Sequence, residues 1–406
     1  MGTLQELPIP EKPGVLFPEI ASAPEMFRTC LQCGVCSGSC PMGEAMEFAP
    51  RRAVKMLIEG RFEEVVRSNT PWLCVSCHTC AVRCPSQLLI SDGLFPALRA
   101  AVMSEGLVME QDLQKALQNT YLYGNPMGIS PRKRTEWTKT AGVPVPVVSQ
   151  LKRPVDVLWV VECYPSFDPR GQAVARKLAR ILNALGVDYA ILGQEERCLG
   201  DCEWLAGERG LFEMLIERNI EILGKYRFDQ ILMTDPHSYR TLLKVYPALG
   251  GRYTVRPYAR FLVERLAQLK PMLKKKVNAV VTYHDSCCLG RKTGHYDEPR
   301  ELLRVIPGVK LVEMIQNRES SLCCGGGAST IYLDRFIQER VKDRLADRRV
   351  EQAAATKAEI LAVACPYEPS RFEDAVKITG HEGQLVVRDI IELLAESMGL
   401  DEGGES

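Results

Sequence analysis

The stretch "NAVVTYHDSC" (Asn278–Cys287) is a short apolar run that delivers a cysteine at its carboxyl end. It leads into a helix-like segment, "DEPRELLRVIPG", and a second apolar run, "VKLVEM". An earlier stretch, "VDVLWVVEC" (Val155–Cys163), does the same and is followed by "GQAVARKLARILNALGVDYAIL", a helix, a glycine stop and a strand. Each half then meets a second cysteine region, "ERCLGDC" (Cys198, Cys202) and "LCCGGG" (Cys323, Cys324), and a third strand, "DQILMTDPHSY" and "AEILAVACPYEP". Cys163 and Cys287 are 124 residues apart, and Cys198 and Cys323 are 125 apart. A constant offset means duplication, and alternating strands and helices mean two α/β units with mostly parallel sheets, over residues 155–275 and 276–400.

Ligands of such sheets lie in loops at the carboxyl ends of the strands. Cys163, Cys287 and Cys365 each follow a strand directly. The second unit thus gathers Cys287, Cys288, Cys323, Cys324 and Cys365, five thiols where a cubane needs four. Gly325–Gly327 let the backbone approach closely and aim N–H groups at cluster sulfides, or else form a flexible turn.

Upstream, "CLQCGVCSGSCP" holds Cys30, Cys33, Cys36, Cys40 and Pro41, and "CVSCHTCAVRCP" holds Cys74, Cys77, Cys80, Cys84 and Pro85. Both read C-x-x-C-x-x-C-x-x-x-C-P, the run that holds a pair of [4Fe–4S] clusters. Three thiolates from one loop reach three corners of a cube, and the fourth, beside a proline, reaches the other cluster. One set is therefore Cys30, Cys33, Cys36 and Cys84, and the other Cys74, Cys77, Cys80 and Cys40. Zinc would close with four ligands and leave the matched runs unexplained. Cys74–His78 is formally a haem-attachment pattern, but it sits inside the ferredoxin run, so His78 reads as a neighbour that tunes the cluster. Between the runs, Val54, Leu57, Ile58, Phe62, Val65 and Val66 recur at helical spacing around a break at Gly60. Residues 25–105 form a small helical two-cluster module, after an extension over 1–24. A Pro/Gly-rich linker or docking arm, 106–154, follows.

Sixteen cysteines in 406 residues argue for metal or redox chemistry rather than a disulfide framework. With 51 basic and 51 acidic residues, nothing points to nucleic acid. No apolar run approaches 18 residues, and the start lacks a signal-peptide core, so the expected compartment is cytoplasmic and any membrane contact would be peripheral, through a partner. His284 and Asp285 stand beside Cys287, and His284 could move a proton to a thiol or be structural. His295 and Asp297 lie at a helix start, with Asp297 in the N-cap region. No nucleotide-binding pattern is evident, so a flavin would belong to a partner.

These motifs resemble the heterodisulfide reductase family. Residues 25–105 are similar to its ferredoxin-like small subunit, and 155–395 to its cysteine-rich (CCG) subunit, here fused. The resemblance implies a motif of C, then C-C, then C-x-x-C, occurring twice, that binds a non-cubane iron–sulfur cluster. Cys287, Cys323–Cys324 and Cys365 match it in the second unit, so the adjacent cysteines look like ligands gripping one cluster from a single turn. The closing cysteine is replaced by Glu368, and Cys288 is an extra thiol. In the first unit only Cys163 and Cys198 are on pattern, Cys202 is off it, and Asp235 and Ser238 stand where cysteines would. That unit is expected to have lost its cluster; the alternative is one held by those three cysteines with Asp235 or His237. The expected cofactors are two [4Fe–4S] clusters and one further cluster, non-cubane or [4Fe–4S]. The expected function is an electron-transfer subunit of a multi-subunit complex with a flavoprotein or other redox subunit. The alternative is a catalytic subunit reducing a disulfide or quinone-type acceptor.

Overall fold

The computed structural model describes residues 25, 27–107 and 110–401. The extension expected over 1–24 lies outside them. The α/β part is two all-parallel four-stranded sheets. β1 (Val155–Val160), β2 (Tyr189–Ile191), β3 (Phe228–Met233) and β4 (Val255–Pro257) run in the order β2-β1-β3-β4. β5 (Ala279–Tyr283), β6 (Val309–Val312), β7 (Ile360–Val363) and β8 (Val386–Asp389) repeat it as β6-β5-β7-β8. Leu158 pairs with Ala190 and Ile231, and Thr282 with Val312 and Leu361. Of the central strands, covered on both faces, β7 is buried at every position and β1 at all but Asp156, while β3 and β5 are buried over their carboxyl-terminal halves. In each sheet the strand order reverses between the first and third strands, so a crevice opens at their carboxyl ends. The duplication read from the sequence is present, with one strand more per unit. β4 and β8 are only three and four residues long and carry Arg256 and Arg388, so no apolar period marks them.

The two units share a core. The helix Pro169–Ala184 starts at Asp168, whose carboxylate accepts from the Gly171 N–H, with proline at its first position. It buries Leu178, Ala179, Ile181 and Leu182 against the helix Ile390–Met398, where Leu393 and Leu394 are fully buried. Each such leucine contributes about 1.5–3 kcal/mol of burial. Arg170 crosses the same seam, donating to Glu373 at 2.7 Å and to Glu392 at 2.6 Å.

The N-terminal module is helical. Pro50–Ile58 and Phe62–Arg67 flank Gly60, whose φ of 75° needs a glycine. Val54, Leu57, Val65 and Val66 are buried, while Ile58 stays exposed. The helix Phe95–Ser104 packs on Phe62–Arg67 and carries this core into that of the second unit, around Phe336 and Phe372. Of the linker, the helix Gln111–Tyr123 packs on the Ala328–Leu333 segment of the second unit, and residues 124–154 lie along the first. The Trp137 ring packs edge-on to Trp159 with centroids 5.5 Å apart, and Val147 bridges in parallel to Ile191 at the β2 edge. One carboxylate ties all three parts together. Asp92, from the module, lies 2.8 Å from Arg240 of the first unit and 3.1 Å from Lys292 of the second. Burial alone would raise its pKa, but Arg240, Lys292 and His78 outweigh it and hold the carboxyl well below its usual range. Among the described residues no helix is long and apolar enough to cross a membrane.

Candidate metal centres

The two cysteine runs fold alike. Gln32 and Ser76 have φ of 53° and 51°, and two residues on Gly34 and His78 have φ of 86° and 65°. These left-handed turns curl each C-x-x-C-x-x-C loop around a hollow, with a short helix after it (Val35–Gly38, Thr79–Val82). Cys30, Cys33, Cys36 and Cys84 line one hollow, with Arg51 and Leu88. Cys40, Cys74, Cys77 and Cys80 line another, with His78, Ser91 and Phe95. The donor chemistry, four thiols per hollow, fits a [4Fe–4S] cluster in each. The Ser76 N–H donates to Cys74 Sγ at 3.4 Å. Burial pushes the Cys36, Cys40 and Cys80 thiols up, and Cys74 up to about 11, although Arg99 opposes the last. His78 is strained where its sister position has glycine. Its Nδ1 is held 2.8 Å from Ser91 Oγ and 3.3 Å from Asp92, so the ring anchors the second loop to the junction.

In the second unit the switch point collects Cys287 after β5 and Cys365 after β7. Cys323 and Cys324 arrive on the loop from β6, with Cys323 Sγ 4.0 Å from Cys287 Sγ. All five cysteines are buried. Hydrogen bonds from Cys288 and Cys323, with Arg291 and Lys292 nearby, hold Cys287 well below the usual thiol range. Cys324 is lowered to about 6 by Cys323 and His284, against its burial. The glycines are tightly packed. Gly325 is left-handed, with φ of 75°, and its N–H donates to Cys323 Sγ at 3.3 Å. A Cβ on Gly326 would lie 2.4 Å from Arg371 Cδ, and one on Gly327 2.2 Å from His237 Nε2. So Gly327 makes room for a histidine of the other unit, whose Nδ1 lies 3.9 Å from Cys365 Sγ and 2.9 Å from Asp235.

His284 is fully buried and its Nδ1 accepts from Arg349 Nε at 2.9 Å. Its proton is therefore on Nε2, facing Cys324 and Glu368. Burial keeps the ring neutral. His295 lies away from the thiols, between Glu298 at 2.8 Å and the Tyr239 hydroxyl at 3.1 Å. Asp297 opens the helix Asp297–Val305 without capping it, and instead accepts from Arg318 at 2.6 Å.

The first unit builds the same crevice and fills it differently. Arg134, from the linker, enters it with its side chain 2% exposed and donates to Cys163 Sγ at 3.4 Å and to Glu196 at 2.7 Å. Glu196 also accepts the Val161 and Glu162 N–H groups. Cys198 donates to Cys163, and this bond with Arg134 lowers the Cys163 thiol despite burial. Cys198 approaches Glu203 at 3.5 Å. Burial pushes Cys202 well up. Sequence reasoning missed Arg134, Arg291 and Asp92, because a lone charged residue in a loop carries no period; Arg291, four residues after Cys287, was the most findable.

Thiol-lined hollows beside a helical module, followed by a duplicated parallel unit with cysteines at its switch points, define a class: an iron–sulfur protein with a two-cluster module and a cysteine-rich repeat. Residues 26–88 match the 4Fe-4S dicluster domain, and residues 157–242 and 281–367 match the cysteine-rich domain (CCG). The chain is 33% identical over 366 residues to the "Probable iron-sulfur-binding oxidoreductase FadF" of Bacillus subtilis (strain 168), covering 89% of this chain and 50% of that one. It is 31% identical to the "EtfAB:quinone oxidoreductase" of Syntrophomonas wolfei, covering 87% of this chain and 50% of that one. It is 30% identical over 410 residues to one of the subunits of the "Dihydromethanophenazine:CoB--CoM heterodisulfide reductase" of Methanosarcina mazei, covering 92% of this chain and 94% of that one. The chain belongs to this heterodisulfide-reductase-like family of iron–sulfur oxidoreductases. It spans about half the length of the first two relatives. The dicluster match supports two [4Fe–4S] clusters, and the cysteine-rich match a further iron–sulfur cluster.

Proposed function

We propose that this chain is an electron-transfer subunit of a heterodisulfide-reductase-like complex, relaying electrons through two [4Fe–4S] clusters to or from a third centre in the second unit. Cys30, Cys33, Cys36 and Cys84 hold one cluster, and Cys40, Cys74, Cys77 and Cys80 the other. Cys287, Cys323, Cys324 and Cys365 hold the third centre, with Cys288 and Glu368 as the residues available to close its ligand set. Cys163, Cys198 and Cys202 hold none, because the Arg134 guanidinium occupies their crevice. When bound, such clusters supply reversible one-electron transfer.

The observation that carries this reading is Arg291. Its Nε donates to the Cys77 carbonyl at 2.8 Å, its guanidinium also bonds the Ser321 carbonyl, and Cys77, Cys287 and Cys323 all raise its pKa against burial. One side chain thus joins the second thiol-lined hollow to the third site. Arg99 reinforces the join, donating to the Cys74 carbonyl at 2.6 Å and to Leu205 of the first unit at 2.7 Å. At the far end, Cys33 is exposed, and Leu31, Val35 and Leu89 expose apolar surface around the first hollow. This is the face for the partner, a flavoprotein or other redox subunit. The names of the relatives from Syntrophomonas and Methanosarcina support a redox complex as the setting. Any contact with a membrane runs through that partner.

The test is low-temperature EPR during a redox titration of the anaerobically purified protein. A relay gives silence when oxidised and three sets of signals on reduction, at graded potentials. A signal that arises on oxidation and changes with an added thiol would instead assign disulfide chemistry to the third centre.

A further inference from the structure

We infer that Glu368 closes the ligand set of the third centre, supplying a carboxylate oxygen where the C-x-x-C motif has its final cysteine. The inference rests on the proposed third centre and names what completes it.

Glu368 opens the helix Glu368–Ile378 at the carboxyl end of β7, three residues after Cys365, and is 1% exposed. One oxygen, Oε2, approaches the Ala364 N–H at 3.4 Å. The other, Oε1, has no hydrogen-bond partner. It lies 3.3 Å from His284 Nε2, which is equally buried and whose proton faces both this oxygen and Cys324. A ligand atom from each of Glu368, His284 and Cys324 falls within one 4.8 Å cluster. A carboxylate oxygen can accept more than one bond, so Oε1, faced only by this imidazole and set among thiols, has room for a further group.

The two side chains differ in what they can do. The His284 Nδ1 is committed to accepting from Arg349, so Nε2 carries the proton and offers no lone pair to a metal. His284 is a positioning residue, a donor aimed at the carboxylate and the Cys324 sulfur. Glu368 Oε1 offers a lone pair to a metal, as a carboxylate ligand for iron does. Cys288, the other residue available, bonds Cys287 from the far side of the site from Glu368's neighbours His284 and Cys324. It is buried beside Cys287 on the side of Lys292 and Asp201, the junction with the first unit and the module.

The experiment compares Glu368→Ala, Glu368→Cys and Cys288→Ser in the full chain, by iron content, EPR and midpoint potential of each centre. Glu368→Ala is expected to lose the third-centre signal and its iron while both module clusters persist. Glu368→Cys is expected to keep the iron and move only the third-centre potential downward, since thiolate donates more strongly than carboxylate. Cys288→Ser is expected to keep the iron of all three centres and to shift only the third-centre potential, through its altered bond to Cys287. Retention of the third-centre spectrum and potential in Glu368→Ala, or loss of the third-centre iron in Cys288→Ser, overturns the assignment. Only two centres in the unsubstituted protein would remove the third centre itself, and this inference with it.

Discussion

The two repeats have the same sheet, the same strand order and a cysteine at the end of the first strand, yet their crevices hold opposite things. In the first, Cys163 faces the Arg134 guanidinium, which is neutralised in turn by Glu196. In the second, Cys287 lies against Cys323, with Arg291 and Lys292 near its sulfur and Glu368 and His284 across the site. A crevice built for an anionic thiolate cluster has a fixed charge to balance. On the proposed reading the first crevice holds no cluster, and a cation stands against the lowered Cys163 thiol instead. Arg134 does this from the linker, which explains why a Pro/Gly-rich segment is laid so firmly along the first unit. The first repeat is also not idle, since its His237 reaches Gly327 and Cys365 of the second.

Matched substitutions break this contrast most directly. Cys323→Ser is expected to abolish the third centre, and Cys198→Ser to leave iron content unchanged; equal loss in iron analysis would erase the difference between the repeats. Arg134→Ala leaves Glu196 buried without its partner, for an expected destabilisation of about 3–5 kcal/mol in anaerobic urea unfolding, with cluster EPR as the control that the rest of the chain is intact. Gly327→Ala sharpens the link between repeats. Its Cβ meets His237, and an expected cost of about 1–3 kcal/mol should accompany a changed third-centre spectrum but unchanged module clusters.

The smallest effect concerns the end of the fourth strand. There the first unit has Pro257 and the second has Asp389, whose carboxyl caps the helix Ile390–Met398 through the Ile391 N–H at 2.8 Å. Burial pushes that carboxyl up to about 8. The folded state then holds the proton more tightly than the unfolded chain, so stability falls as pH rises between about 4 and 8. Asp389→Asn should flatten that slope, read as urea midpoints across the range, and a slope that persists would assign the pH dependence to other groups.

Much of this architecture is legible in the order of residues. Strand, cysteine and helix recur at a fixed offset because each repeat buries its sheet in the same way, and burial writes apolar runs. Gly60 marks a break because only glycine adopts its φ at no cost. β4 and β8 are not legible, since three or four residues with an arginine among them carry no period. Nor can Asp297 be read in detail: an acid at a helix start suits a cap or an ion pair equally, and packing of Arg318 chose the pair.

By itself the sequence determined the spacing of the thiols, and hence which loops can wrap a cluster, because that chemistry is local to a few residues of chain. Tertiary structure alone decided what each crevice holds. Arg134 meets Cys163, Asp92 meets Arg240 and Lys292, and His237 meets Gly327 across long stretches of chain. Those meetings follow from how three cores pack together, since buried charges must find partners wherever the fold brings them.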